Sequence, residues 1–549
     1  MTELRGRDVL LEVLATEGVV DVFGNPGTTE LPLMEALTGR PDIHYVLALQ
    51  EASAVAMADG YAQVTGRPAF LNLHTSAGLG NAVGNLTNAQ ANATPLVVTA
   101  GQQDRRHIVA DPLLAGDLVG LARPVAKWAH EVRTVGELGT ILRRAFHDSA
   151  SQPAGPVFVS IPMDILDEEA GEPAPAPSII ERGVVAGRLD ELADLLAGAE
   201  RERLAIVAGD EVSASGGMDA LVALAEALGV RVHGSPLHST TVFPPAHPLW
   251  AGPLPPAAAA IAAALAAYER VLLVGGRAFM VYPYTPGPAL PAHVELLHIS
   301  PDAAQLARTY PTRLGLVGDP RATLEALVRL VRQRVDPAAS AAAVEQARSE
   351  RAAAIERLEA TATSRYGEVP MHPMAAAHAL VRALPADTIV VDEAITTGTY
   401  VRGFHHPSRP GRYFFCRGGG LGWGMPAAVG ASLGAGREPV LCVVGDGSAM
   451  YSPQALWTAA RERLPVVFAV VNNRQYLILK QGLRARRGGP SADEGFVGMD
   501  IDDPPVDFVA LARSMGVGGQ LVEKAGEVRD AVRAALERAE PTLLELPIA

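Results

Sequence analysis

The chain has 549 residues, of which 48% are apolar and 19% are charged, so it can bury several hydrophobic cores and is unlike a disordered protein. Its formal net charge of −14 argues against nucleic acids and anionic membranes as partners. The two cysteines, Cys416 and Cys442, lie in apolar strand-like runs, which favours buried thiols over a disulfide or a metal pair.

The N-terminal segment carries charges throughout a helical pattern, unlike a secretory leader. The longest apolar run, residues 257–268, is short and alanine-rich, which predicts a packed helix and not a membrane span. We therefore expect a cytoplasmic protein.

Strand-like and helix-like patterns alternate in three stretches of the chain, at residues 1–165, 184–333 and 369–549. An acidic, proline-rich linker at 166–183 separates the first two stretches. Residues 334–368 are rich in Ala, Arg and Glu and are predicted to form a helix that leads into the third stretch. The predicted fold class is therefore α/β, with three parallel-sheet domains.

The predicted strands are nearly continuous in β-branched residues, which is typical of sheets that helices cover on both faces. They lie in VVDVFGNPG, HYVLALQE, PAFLNLHTSAG, TPLVVTAG and GPVFVSIPMD, then in RLAIVAGD, VRVHGS, RVLLVGG and VELLHIS, and finally in DTIVVDEA, PVLCVVGDG, VVFAVVNN and PTLLELPI.

Glu51 is the first candidate site residue along the chain. It closes the strand-like segment HYVLALQE and opens a predicted helix. Since α/β sheets place ligands at the carboxyl ends of their strands, this carboxylate can face a bound molecule. A structural explanation is also open, because the helix dipole stabilises a glutamate at a helix start.

Asp446 and Asn473 lie 27 residues apart, each at the end of a predicted buried strand. Between them, SPQALWTAARERL predicts a helix with Ser452 as N-cap and Pro453 at its first position. A β-α-β unit brings both strand ends side by side, next to the backbone N–H groups of GDGS, where a diphosphate is favoured. An ordinary Rossmann-like strand pair is the plainer alternative.

The oxygen atoms expected at this point suit Mg²⁺. They are the carboxylate of Asp446, the amide oxygen of Asn473, a backbone carbonyl and two phosphate oxygens, and Gln475 is the third predicted protein ligand.

The segment from GDG to NN resembles the signature of the thiamine-diphosphate-dependent decarboxylase/carboligase family, which opens and closes with these residues at about this spacing. The resemblance covers essentially the whole chain. It implies a pyrimidine-binding domain at 1–165, a middle Rossmann-like domain at 184–333 and a diphosphate-binding domain at 369–549. It also implies thiamine diphosphate and Mg²⁺ (or Ca²⁺) as cofactors, and a homo-oligomer, expected to be a dimer of dimers, with active sites at the dimer interface.

In this family a glutamate at the position of Glu51 hydrogen-bonds the aminopyrimidine ring. Glycines such as Gly419 let a backbone carbonyl approach the cofactor, and Leu421 takes the place of a bulky residue that bends it. Thr396, in DEAITTGTY, matches a polar position at the diphosphate end. The implied cofactor-binding residues are Glu51, Thr396, Gly419, Leu421, Gly445, Asp446, Gly447, Ser448 and Asn473.

Longer segments, among them FGNPGTTELP, NLHTSAGLGNAVGNLTNA and YFFCRGGGLGWGMPAA, are very similar to benzoylformate decarboxylases. In that group a serine after the NPG turn recognises the substrate carboxylate, and here Thr28 keeps the hydroxyl. The histidine of NLH is retained as His74, which can shuttle protons near neutral pH. A lone histidine after a strand is more often structural, but a glycine-rich turn beside it favours catalysis.

Two positions depart from that group. Tyr282 stands in GGRAFMVYPYTPG where a second catalytic histidine is expected, and a phenol is a weak base at pH 7. Gly482 stands in place of a bulky aromatic residue, with Ile478 one turn earlier, which opens space beside the cofactor. The predicted substrate pocket is formed by Gly482 and Ile478 together with Thr28 and Phe415. The pair His405 and His406 lies in a proline-rich loop and is a weaker candidate for substrate contact.

The favoured interpretation is a non-oxidative decarboxylase that converts a 2-oxo acid with an aryl or other bulky side chain into an aldehyde and CO₂, with Glu51, His74, Thr28 and Tyr282 as catalytic residues. The first alternative is a carboligase of the acetolactate synthase type, in which a second carbonyl compound is added instead of a proton. Many such synthases carry FAD in the middle domain, but GDEVSASGG and GGRAF are too weak to indicate a flavin site, so FAD is not expected. A cofactor-binding paralogue without turnover is the third possibility.

Overall fold

A computed structural model describes residues 3–487 and 495–549, which form three six-stranded sheets connected by helices. Neighbouring strands pair in parallel in all three sheets. The predicted fold class is confirmed, whereas the predicted domain boundaries stay a prediction.

The first sheet has the strand order β2-β1-β3-β4-β6-β5. Its strands are β1 (Asp21–Gly24), β2 (His44–Leu47), β3 (Ala69–Leu73), β4 (Leu96–Gln102), β5 (Ala129–Glu131) and β6 (Pro156–Pro162). Its helices are α1 (Gly6–Thr16), α2 (Leu31–Leu37), α3 (Glu51–Thr65), α4 (Thr75–Asn92), α5 (Leu118–Ala122), α6 (Val135–Ala150) and α7 (Met163–Asp167).

The second sheet has the order β12-β11-β10-β7-β8-β9. Its strands are β7 (Leu204–Ala208), β8 (Arg231–Gly234), β9 (Trp250–Pro253), β10 (Arg270–Val274), β11 (Glu295–Ser300) and β12 (Leu314–Val317). Its helices are α8 (Leu189–Ala197), α9 (Asp210–Ala214), α10 (Met218–Leu228), α11 (Ala258–Leu265) and α12 (Pro320–Arg332).

The 28-residue helix α13 (Pro337–Ser364) connects the second sheet to the third. Its start is defined by Asp336, whose side chain accepts a hydrogen bond from the backbone N–H of Ala338 (3.0 Å), and by Pro337 at the first position. The predicted connecting helix is therefore confirmed. The predicted linker at 166–183 needs one correction, because its first two residues complete α7.

The third sheet has the order β14-β13-β15-β16-β18-β17. Its strands are β13 (Ile389–Glu393), β14 (Tyr413–Phe415), β15 (Val440–Gly445), β16 (Val466–Asn472), β17 (Gly518–Leu521) and β18 (Thr542–Pro547). Its helices are α14 (Pro373–Ala383), α15 (Gly398–Phe404), α16 (Gly424–Gly434), α17 (Asp446–Ala449), α18 (Ala455–Glu462), α19 (Leu477–Arg487), α20 (Phe508–Ser514) and α21 (Ala525–Arg538).

Helices α3 and α16 pack closely and join the first and third sheets through one continuous apolar core. A Cβ atom at Gly60 would lie 2.1 Å from the backbone oxygen of Ala427, and one at Gly430 would lie 1.8 Å from that of Met57. The two glycines therefore permit this crossing. Because α3 begins with Glu51 and α16 follows the glycine-rich segment 416–423, the packing fixes two candidate site segments relative to each other.

No helix in the part of the chain that the structure describes is both long and apolar enough to cross a membrane. Both cysteines are buried and unpaired, as predicted.

Candidate active site

Asp446 and Asn473 meet at the carboxyl edge of the third sheet, as predicted. One carboxylate oxygen of Asp446 accepts a hydrogen bond from the N–H of Gly447 (2.8 Å), and the other accepts one from the N–H of Asn473 (3.1 Å). The side-chain oxygen of Asn473 in turn accepts from the N–H of Gln475 (3.1 Å). Burial raises the pKa of Asp446, while the surrounding N–H donors oppose that shift. The turn after β15 and the loop after β16 thus place a carboxylate and an amide oxygen together.

The residues at this edge fit a metal ion bound through a diphosphate. Among the described residues, no group of three or more His, Cys, Asp or Glu side chains could hold a metal by itself. A single carboxylate with amide, carbonyl and phosphate oxygens is instead a donor set that suits Mg²⁺. Buried side-chain oxygens without a hydrogen-bond partner in the described structure also lie in loops of this domain, at Thr397, Ser452 and Gln454. Such atoms fit a polar ligand.

The helix between the two strands begins later than predicted. Helix α18 starts at Ala455, and Ser452 and Pro453 belong to the preceding turn. In this turn the N–H of Ala455 donates to the backbone oxygen of Ser452, and the N–H of Leu456 donates to that of Pro453. The hydroxyl of Ser452 is buried without a partner and caps no helix in the described structure. Ser452 as N-cap and Pro453 as first helical residue were therefore wrong. The helix begins instead from a turn in which backbone N–H groups bond to backbone carbonyls, so no side-chain cap is involved.

The glycine-rich segment before α16 is held from two sides. Asn88 of α4 bonds both backbone groups of Gly420, donating to its oxygen (2.9 Å) and accepting from its N–H (3.0 Å). Glu393, at the end of β13, accepts hydrogen bonds from the N–H groups of Gly422 (2.8 Å) and Gly424 (2.8 Å). Burial raises the pKa of Glu393 to about 7. Leu421 lies between these fixed points, where its half-buried side chain is presented by a rigid loop.

Within this segment Gly419 has φ +76° and Gly422 has φ +91°, a backbone conformation that favours glycine. Gly419 is exposed, so its backbone is accessible to a ligand. Thr396 lies half-buried in the loop after β13, at the same edge of the sheet.

Glu51 is the first residue of α3 and is 8% exposed. Its two oxygens accept hydrogen bonds from the side-chain amides of Asn25 (3.1 Å) and Asn81 (3.0 Å). A Cβ atom at Gly78 would lie 3.3 Å from one of these oxygens, so glycine leaves room for the carboxylate. The first domain therefore holds Glu51 in a fixed orientation.

The turn after β1 carries Thr28 and packs against His74. Thr28 is exposed at the start of a short 3₁₀ turn, Thr28–Glu30, whereas the next two residues are buried. A Cβ atom at Gly27 would lie 2.2 Å from Nδ1 of His74, so the imidazole packs directly on this turn. His74 itself lies immediately before α4. The imidazole therefore packs on the residue that precedes the exposed Thr28.

The predicted catalytic residue Tyr282 and the remaining predicted pocket residues lie on three different segments. Tyr282 is 71% exposed in a loop after β10. Phe415 ends β14, with the guanidinium of Arg402 5.3 Å from its ring centre. Ile478 (44% exposed) and Gly482 lie one turn apart on α19, and a Cβ atom at Gly482 would have open space around it.

A cleft of about 500 Å³ lies elsewhere, beside α5 and β5, and none of these pocket residues lines it. Its walls include Gln102, Gly116 and Glu131. The hydroxyl of Ser76, two residues after His74, donates to Leu114 in the loop that borders this cleft (3.2 Å).

His405 and His406 are occupied by backbone hydrogen bonds. Nε2 of His405 donates to the backbone oxygen of Arg412 (3.0 Å), and Nε2 of His406 donates to that of Gly403 (2.9 Å). Burial lowers the pKa of each imidazole to about 4. Both rings fit a structural role better than substrate contact.

Two features escaped the sequence interpretation. Four asparagines on one face of α4 contact the site segments: Asn81 bonds Glu51, Asn85 the backbone of Ala52, Asn88 Gly420 and Asn92 the backbone of Arg417. Their helical spacing in NAVGNLTNAQAN was the available signal. The second feature is the buried Glu30 beside His74. The one available signal in the sequence was an acidic residue in the segment TTELP.

Family models match the chain in three places. They are described as the N-terminal TPP binding domain (residues 4–118), the central domain (189–327) and the C-terminal TPP binding domain (371–546) of thiamine pyrophosphate enzymes.

Individual relatives agree with these matches. The chain is 36% identical to a benzoylformate decarboxylase of Pseudomonas aeruginosa, covering 98% of this chain and 97% of that protein. It is 28% identical to the acetolactate synthase isozyme 3 large subunit of Escherichia coli, over 98% of this chain and 93% of that one. A solved thiamine diphosphate-dependent 4-hydroxybenzoylformate decarboxylase from Rhodococcus jostii RHA1 is 32% identical, with TM-score 0.86 and 99% of both chains covered.

Proposed function

Because the chain belongs to the thiamine pyrophosphate enzyme family, we propose that it catalyses the non-oxidative decarboxylation of a 2-oxo acid with an aryl side chain, giving an aldehyde and CO₂ with thiamine diphosphate and Mg²⁺ as cofactors. The observation that carries this proposal is the packing of the His74 ring against Gly27, the residue before Thr28. A hydroxyl that can bind the substrate carboxylate and a proton carrier on the same turn are what a decarboxylase of this kind requires.

In this proposal Asp446, Asn473 and Gln475 hold the metal ion. The diphosphate is bound by Gly445, Gly447, Ser448 and Thr396, and Gly419 and Leu421 contact the rings. The bound cofactor supplies the electron sink for the departure of CO₂.

Each catalytic side chain then has one task. Glu51 exchanges a proton with the aminopyrimidine ring, and the asparagine amides that bond it hold it in place. Thr28 binds the carboxylate of the substrate, and His74 delivers the proton that completes the aldehyde. Tyr282 donates a hydrogen bond to the substrate or product.

We expect the enzyme to be a cytoplasmic homo-oligomer, a dimer of dimers, in which Glu51 of one subunit meets the diphosphate site of another. In the part of the chain that the structure describes, the Glu51 carboxylate accepts hydrogen bonds from residues of the first domain alone, which leaves its outer face to a ligand.

Substrate choice gives the first prediction. The aryl group should lie toward Phe415, Ile478 and Gly482, where it buries on the order of 100 Å², worth a few kcal/mol at about 25 cal/mol per Å². Benzoylformate should therefore exceed pyruvate in kcat/KM by at least about tenfold. Coupled aldehyde reduction with both acids measures this ratio, and a preference for pyruvate would contradict the proposed substrate class.

Gly482→Phe tests the location of the pocket. The exposed position on α19 accepts a larger side chain, because a Cβ atom there meets nothing within 4 Å. A phenyl group should shorten the pocket and lower kcat/KM for para-substituted benzoylformates by about tenfold more than for benzoylformate itself. Leu479→Phe, on the same helix and 50% exposed, is the control. Equal losses for both classes of acid would show that Gly482 does not face the substrate.

A carboligase of the acetolactate synthase type is the second candidate. Tyr282 favours this activity, because an exposed phenol stands in place of a second proton carrier. Protonation after the loss of CO₂ would then be slow, and a second carbonyl compound could react before the proton is added. In that case pyruvate would be the better substrate and an acyloin acid the main product.

A further inference from the structure

Glu30 is the most completely enclosed charged side chain near the proposed catalytic residues. It is 1% exposed. Its oxygens accept hydrogen bonds from the N–H groups of Gly27 (2.9 Å) and Gly101 (3.0 Å) and from the hydroxyl of Thr29 (2.7 Å). Nδ1 of His74 lies 2.8 Å from one of these oxygens. Burying a carboxylate is costly unless its oxygens are paired, and here each oxygen has two partners.

Glycine at two positions makes this arrangement possible. A Cβ atom at Gly101 would lie 2.1 Å from an oxygen of Glu30, and one at Gly27 would lie 2.2 Å from Nδ1 of His74. The turn after β1 and the end of β4 are thus shaped around the carboxylate and the imidazole.

We infer that Glu30 is a positioning residue for His74. An ionised carboxylate only accepts hydrogen bonds, so Nδ1 of His74 carries the proton of this contact. That fixes the tautomer and leaves Nε2 for proton exchange with the substrate. Among the described residues none forms a hydrogen bond with Nε2 of His74, and the side chain of His74 is 20% exposed. The inference rests on the proposed function, which makes His74 the proton carrier.

A purely structural role for Glu30 gives different expectations. If the carboxylate only stabilised the turn, its loss would lower stability and add its effect to that of any change at His74. If it acts through His74, its effect on turnover should disappear once the imidazole is absent.

The kinetic test compares Glu30→Gln, His74→Ala and the double variant. Glu30→Gln should lower kcat for benzoylformate by about 10–100-fold, the scale for loss of a hydrogen bond that orients a functional histidine. KM and the Kd of thiamine diphosphate should change by no more than about threefold, the range expected of an intact binding site. The double variant should be no slower than His74→Ala. A double variant slowed further by the full factor of Glu30→Gln would overturn the inference.

A second measurement needs no turnover. Nitrogen-15 NMR of histidine-labelled, substrate-free protein at mildly alkaline pH shows which ring nitrogen carries the proton, and the spectrum of His74→Ala identifies the His74 signals. Wild type should carry the proton of His74 on Nδ1, and Glu30→Gln should give a mixture of both tautomers, because an amide can donate as well as accept a hydrogen bond. Glu35→Gln is the matched control, because Glu35 is exposed on α2 and pairs with Arg7 (3.0 Å).

A wild-type protein with the His74 proton on Nε2, or a Glu30→Gln variant that keeps the proton wholly on Nδ1, would overturn the inference. Should that variant fail to fold, Glu30→Asp withdraws the carboxylate from Nδ1, and a partial loss of the Nδ1–H tautomer is expected. If no 2-oxo acid is decarboxylated, the proposed function fails, while the tautomer of His74 still decides whether Glu30 controls it.

Discussion

Replacing Glu51 by glutamine is expected to slow turnover by roughly 10²–10⁴-fold, the usual scale for loss of a general acid–base group. Glutamine keeps the shape of the side chain but cannot exchange a proton with the aminopyrimidine ring. The fold and the affinity for the diphosphate should remain largely intact, since the proposed diphosphate site lies in the third domain. Steady-state kinetics with benzoylformate and a fluorescence titration of the cofactor measure the two effects separately.

The neighbouring residue provides the control for this prediction. Gln50 caps α3 by accepting a hydrogen bond from the N–H of Ser53 (3.0 Å). Gln50→Ala should cost on the order of 1 kcal/mol of stability and change kcat only a few-fold, because the Glu51 carboxylate remains. Near-wild-type turnover of Glu51→Gln would remove the thiamine mechanism from consideration.

Asp446→Ala is expected to prevent formation of the holoenzyme even at high Mg²⁺. Asp446 is the one formally charged side chain among the proposed metal ligands, and its oxygens lie against the backbone of Gly447 and Asn473. Without it the metal loses its strongest protein ligand, and the diphosphate loses its bridge to the third sheet. Equilibrium dialysis of thiamine diphosphate against a Mg²⁺ series measures the loss, which should reach at least about 10²-fold in apparent affinity.

Cys442→Ala is the matched control, since Cys442 lies on the same strand, β15, and is fully buried among apolar residues. That variant should bind the cofactor with wild-type affinity even if its stability falls. Equal binding by wild type and Asp446→Ala would show that the metal site is misplaced.

The sequence predicted the central strands well and the edge strands poorly. The strands that it missed are β5, β9, β12 and β17, and each lies at the edge of its sheet. Central strands such as β4 and β16 are buried along their whole length, so they read as continuous β-branched runs. Edge strands are short and partly exposed; in β17, for example, no residue is buried. Their sequences therefore lack the signal on which the prediction depended.

The candidate site shows the same contrast. Asp446, Asn473 and Glu51 could be proposed from the sequence because they follow strands or begin helices, where parallel sheets gather ligand-binding groups. Glu30 and the α4 asparagines were missed because their importance comes from contacts between segments distant in sequence, such as Asn88 with Gly420. Periodicity within one segment does not show such contacts. The start of α18 was missed because a local turn took the place of the expected cap.

The most direct test of the proposed reaction is the product balance with thiamine diphosphate and Mg²⁺ present. CO₂ and aldehyde are quantified against the acid consumed, with benzoylformate and pyruvate in parallel. A decarboxylase releases one CO₂ and one aldehyde for each acid, and we expect this balance with benzoylformate as the better substrate. Release of one CO₂ for every two molecules of acid, with pyruvate preferred and acetolactate as the main product, would contradict the decarboxylase assignment and establish the carboligase in its place.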